Sequence, residues 1–209
     1  MATGSDAHIL SSNRQELPGE QRRVWTQAAQ DVGLDLDPYV CKASYVCGML
    51  RQFIEAAGMQ LGGEYHVGAL VSAASAAELL GWCCTGATSS KDEPWKRLRE
   101  GVRYLEDVGP PYPGTVHHPA ANLARWVRSV RNFGAHGAAH DKHKHLILDR
   151  VLTVWLLRSL ARALDLFWTK TGDLSRHQRF ARAAITPLYT GGQPIFVRDV
   201  QHHLENGLM

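Results

Sequence analysis

The chain has 209 residues, an apolar fraction of 44% and a formal charge of +3, which suits one domain with a substantial core, or one domain and an appendage. So small a net charge cannot carry association with a polyanion over the whole surface, so any nucleic-acid surface has to be local. Two full domains do not fit the length, and four cysteines are too few for a disulfide scaffold.

Residues 1–15 are polar and lack a basic start followed by an apolar run, so no secretory signal is read there and a cytoplasmic location is the default expectation. A first helix is expected over about 18–32, closed by Gly33, and a second from about 38 to Ala57, where Gly58 follows. In the second, Val40, Ala43, Val46, Cys47, Leu50, Phe53 and Ile54 recur at spacings of three and four, which marks a core-facing stripe. A third helix, about 64–84, is rich in alanine and permits close approach of its neighbours. Its one interior acid, Glu78, follows an almost uncharged stretch; a carboxylate near a core is costly unless paired, so Glu78 either faces solvent or meets a cation such as Arg131. Cys41, Cys47, Cys83 and Cys84 are read as buried reduced thiols.

Ser90 and Glu93 resemble a capping box for a fourth helix, about 91–108, which the proline-rich run 109–114 stops. A fifth begins near Pro119 and carries Leu123, Trp126, Val127 and Val130 on one face; Gly134 and Gly137 predict that the backbone ends or bends there. The longest apolar helix follows, about 146–169, interrupted by Asp149, Arg150, Arg158, Arg162 and Asp165 and so unsuited to spanning a membrane. A short helix, about 174–185, precedes a tail with no strong pattern. No repeat, no sustained alternation and no glycine loop beside a strand occurs, so the fold class is all-α and nucleotide-binding α/β folds are disfavoured.

The segment Arg131-Asn132-Phe133-Gly134-Ala135-His136-Gly137 joins a permanent cation to a proton carrier that titrates near neutrality. Arginine forks onto two phosphoryl oxygens and histidine gives or takes a proton, the pair needed to cleave a phosphodiester without a metal. Arg198 and His203 share the spacing but not the setting between two helices. On an ideal helix, residues five apart stand about 140° apart around the axis, so Arg131 and His136 meet one phosphate only if the helix bends at Gly134 or two copies meet about a twofold axis. Asn132 lies four positions before His136 and could orient the imidazole or contact substrate.

This block, with an amphipathic helix before it and a long apolar one after it, resembles the HEPN superfamily, whose signature is an arginine, a polar residue and a histidine after four to six positions. The resemblance implies a HEPN-like helical domain over 1–172 with a four-helix core at about 39–170, and an extension over 173–209. It further implies a metal-independent endoribonuclease in which His136 is the general acid or base, Arg131 stabilises the phosphorane and Asn132 positions, with Glu78 in support and neither cofactor nor metal. The substrate would be RNA, cut by its own 2′-hydroxyl, and the biological role that of a toxin or antiviral effector. The partners implied are a second copy, through the Arg131–His136 face, and an antitoxin or effector. One branch of the family carries tyrosine two positions after the motif histidine, where this chain has Ala138.

Two rival readings use the same residues. His136, His140, His143 and His145 could hold zinc, although Lys142 and Lys144 would repel a cation; otherwise His140, Lys142 and His143 are exposed or touch RNA. Alternatively, Arg131, Asn132 and His136 form a polar network in a non-catalytic helical module that binds or dimerises.

Overall fold

The computed structural model describes residues 19–87, 94–115, 122–136, 150–169, 173–185, 189–190 and 193–194. The described residues form an all-α fold of seven helices: α1 (Gly19–Gln30), α2 (Leu36–Gly62), α3 (His66–Thr85), α4 (Pro94–Val108), α5 (Leu123–His136), α6 (Arg150–Thr169) and α7 (Leu174–Arg182). A two-residue antiparallel ladder follows, pairing Tyr189 with Pro194 and Thr190 with Gln193.

α3 is the central element, packed against α2, α4, α5, α6 and α7. It is apolar nearly all round, as a helix enclosed by neighbours must be, and buries Ala69, Leu70, Ala73, Ala74, Ala76, Ala77, Leu80, Gly81 and Cys83. By length and composition alone it could also cross a membrane; here half of it is buried inside the protein. Its closest neighbour is α4. A β-carbon on Gly81 would fall inside the Arg97 carbonyl, and one on Gly101 inside the Ala77 carbonyl, so the two backbones touch where neither helix has a side chain. α3 ends at Gly86, whose φ of 66° is left-handed and whose N–H returns to the Trp82 carbonyl.

The stripe on α2 falls as its spacing requires: Val40, Ala43, Val46 and Leu50 are buried, and Cys47, Phe53 and Ile54 pack beside them. The helix does not stop at Gly58. That residue is exposed with open space around it, so a glycine there costs propensity but creates no reason to break, and the helix runs on to Gly62. Of the cysteines only Cys83 is buried; the other three are half-buried, and all four lie outside any disulfide.

α7 shares the common core. Phe180 and His177 are fully buried among Trp25, Tyr39 and Phe167, with the Tyr39 ring edge-on to Phe180 at 5.2 Å. The Tyr39 hydroxyl and His177 Nδ1 share a 2.7 Å hydrogen bond. Burial pushes the phenol above its ordinary range, with Cys83 and Cys47 adding to the effect, so it stays neutral. Lys42 completes the attachment, donating to the Ala181 and Ala183 carbonyls at 2.8 Å each. The proline-rich run after α4 is packed as well: Tyr112 stands edge-on between Trp126 and Trp155, at 5.8 and 5.7 Å, and Trp155 donates to the Pro110 carbonyl.

The glycines give opposite expectations. Gly81→Ala and Gly101→Ala should each cost about 1–3 kcal/mol, because backbone cannot retreat as a side chain can, whereas Gly58→Ala should gain about 0.5–1 kcal/mol. Urea unfolding of the three variants checks the sign of each.

Candidate functional site

Glu78 is the electrostatic centre of the region. It lies on the side of α3 shared by α4 and α5, with 18% of its side chain exposed, and each of its oxygens takes one guanidinium. Arg97 of α4 donates from Nη2 to Oε1 at 3.2 Å, and Arg131 of α5 donates from Nη2 to Oε2 at 3.1 Å. Of the two readings open for this acid, the structure has the pairing with Arg131 and adds a second arginine. One carboxylate thereby ties three helices together.

The two arginines sit differently. Arg97 is buried, with its guanidinium on the Trp82 ring at 4.6 Å. Arg131 keeps 30% of its side chain exposed, and its Nη1 donates to the side-chain oxygen Oδ1 of Asn132 at 3.2 Å. A cleft of about 340 Å³ opens over this pair, walled by Glu78, Arg131, Asn132, Arg128, Trp95 and Leu98. Arg128 precedes Arg131 by three positions, hence on one helix face, and its guanidinium covers the Trp95 ring at 5.0 Å. Among the described residues, Arg128 and Arg131 against Glu78 leave one positive charge in excess on the cleft walls, and Arg97, paired with Glu78, adds a second outside them. An entering phosphate meets forked donors, one of them already oriented by a carboxylate.

Arg131, Asn132 and Glu78 are thus together. The backbone of α5 continues as helix through Gly134, where a bend or end was expected, and its last residue is His136. Arg131 and His136 therefore occupy positions about 140° apart around one helix. The His136 side chain lies outside the described residues, as do His140, Lys142, His143 and Ala138. The same holds for the Ser90–Glu93 cap and for Arg198 and His203.

Sequence reasoning missed Arg97, Arg128 and Trp95. A signal for Arg97 exists: it shares the apolar stripe of α4 with Gly101 and Leu105, so it is a second costly charge on a core face, complementary to Glu78. For Arg128 the signal is its spacing from Arg131; nothing local marks Trp95 as a cleft wall. Comparison of the chain with protein-family models, with curated proteins and with solved structures finds no match.

Removing Glu78 strands two cations, whereas removing Arg131 leaves Glu78 paired with Arg97. Glu78→Gln should cost about 3 kcal/mol, at the low end for breaking a buried pair because Arg131 is partly solvated, which lowers Tm by about 6–12 °C for a chain of this size. Arg131→Met should lower Tm by less than half as much. Thermal unfolding followed by circular dichroism gives both values.

Proposed function

We propose that this protein is a metal-independent endoribonuclease of HEPN type, acting as a toxin or antiviral effector. The observation that carries the reading is the cleft at Arg131: a partly exposed guanidinium oriented by Glu78 and beside Asn132, on the helix whose last residue is His136. In this reading Arg131 binds two nonbridging oxygens of the scissile phosphodiester and takes up the charge that grows on them in the phosphorane. His136 removes the proton of the 2′-hydroxyl as that oxygen attacks phosphorus, and a protonated histidine returns a proton to the departing 5′-oxygen. The products are a 2′,3′-cyclic phosphate and a free 5′-hydroxyl, and DNA, lacking the nucleophile, is spared. Asn132 positions Arg131 through its side-chain oxygen Oδ1.

Because α5 is helical from Arg131 to His136, one copy sends the two positions in different directions. A homodimer resolves this when Arg131 of one copy faces the His136 of the other. A second reading has one observation in its favour: Glu78 already holds Arg131 in an ion pair, which a binding or dimerisation module would use purely for architecture.

Purified protein, in chelator, should cut a mixed RNA pool and leave cyclic-phosphate ends, and His136→Ala should lose at least about 100-fold in rate while remaining folded. Mixing equal amounts of Arg131→Ala and His136→Ala chains should restore about a quarter of the wild-type rate, since half the dimers are mixed and each holds one intact site. No cutting by folded wild type overturns the enzymatic reading. Cutting that mixing fails to restore, by subunits shown to exchange, overturns the shared site.

A further inference from the structure

A second groove, with a volume of about 420 Å³, lies between the proline-rich run and the first half of α6, and shares no residue with the Arg131 cleft. Pro110, Pro111 and Pro113 line it on one side, and Val151, Val154 and Trp155 on the other. The three α6 residues fall at the spacings of three and four that place side chains on one helix face. Val151 is 41% exposed, and Pro111 and Pro113 are exposed as well, so apolar surface stands open to water on both walls.

The walls are held from behind. Trp155 donates its indole N–H to the Pro110 carbonyl at 2.7 Å, and the Tyr112 ring is wedged edge-on between Trp155 and Trp126. A β-carbon on Gly109 would strike the Ser159 hydroxyl, so the run follows α6 closely, and each proline fixes its own φ. An occupant therefore meets a groove that is already formed and has little freedom left to lose.

The charge on the groove is of one sign. Arg150 and Arg158 line it from α6, both exposed, and among the described residues neither forms an ion pair or a hydrogen bond and no carboxylate lines the groove. Eight residues apart on one helix, they stand about 12 Å apart along its axis and about 80° apart around it. A compact anion reaches only one of them. A second copy meeting the groove about a twofold axis would set each arginine against its own counterparts, and a nucleic-acid strand would lay phosphates on valine and proline. We infer that this groove docks an acidic segment of a partner protein, one that presents a large apolar side chain between two carboxylates. In an extended segment, carboxylates four positions apart span about 13 Å and point to the same side as the residue midway between them, which matches the two arginines and the apolar floor. This docking is independent of the nuclease reading.

Fluorescence polarisation of the full chain tests it with a labelled serine peptide carrying glutamate, phenylalanine and glutamate at alternate positions. The same peptide with alanine for phenylalanine, the same with lysine for both glutamates, and an oligodeoxythymidylate of equal length are the comparisons. Saturable binding of the glutamate–phenylalanine peptide is expected, weakened by salt, with the alanine and lysine peptides at least about tenfold weaker. The double variant Arg150→Glu with Arg158→Glu, both at exposed positions, should remain folded by circular dichroism and prefer the lysine peptide. On the wild type alone, failure of the glutamate–phenylalanine peptide to bind saturably, equal binding of the alanine peptide, or tighter binding of the oligonucleotide overturns the inference. So does an unchanged preference in the folded double variant, or a wild-type dimer that the double variant dissolves in sedimentation velocity, which would make a second copy the occupant.

Discussion

The backbones of α3 and α4 meet at Gly81 and Gly101, and that approach sets what the surrounding side chains can do. With the axes so close, Glu78 one turn before Gly81 and Arg97 one turn before Gly101 stand within bonding distance. A carboxylate held there has one oxygen left over, and α5, packed on both α3 and α4, supplies Arg131 to it. Larger residues at the two glycines would separate the helices, lengthen both ion pairs and leave charges in a poorly solvated place, where each unpaired group costs several kcal/mol. The packing of two small residues and the orientation of a cleft arginine are thus one structural fact.

The bridge is asymmetric. Arg97 is buried on Trp82 and can serve only the fold. Arg131 shares its partner with Arg97 and keeps part of its surface in a cleft that also holds Arg128. An isolated guanidinium on a helix surface would lose rotamer freedom on meeting a phosphate; one already held at two of its nitrogens loses less. The carboxylate weakens the net field at the cleft, but Arg97 and Arg128 outweigh it. Such a compromise between a fixed geometry and full charge is reasonable for a group that has to be placed accurately, and equally for one whose task is architectural. The binding of RNA separates these two uses.

Much of the fold is written in local spacing. The stripes on α2 and α5, the alanine-rich character of α3 and the firm stop after α4 all follow from residues within a few positions of one another. Local rules fail where exposure decides: Gly58 breaks nothing because its surroundings are open solvent, and Gly134 does not interrupt α5. Glu78 illustrates the limit for the site. Its isolation in an uncharged stretch marks it as needing a partner, but the choice between water and Arg131 depends on which helices flank α3, and Arg97 enters only once the crossing at Gly81 is known. Nothing local ties Lys42 to the end of α7 or Tyr39 to His177, since both contacts span well over a hundred residues.

The continuity of α5 has a further consequence. A helix that bent at Gly134 could bring its own arginine and histidine to one point, and a single copy would then be a complete catalyst. A helix that continues through Gly134 keeps the two positions about 140° apart around one axis, so on the proposed nuclease reading a single chain would offer a given point either the arginine or the histidine. On the proposed nuclease reading, completion by a second copy would make activity depend on association, and therefore on concentration and on any partner that covers the face. Were the chain the nuclease proposed above, half a site on each chain would be harmless until two chains met, and occlusion of α5 would disarm both halves at once.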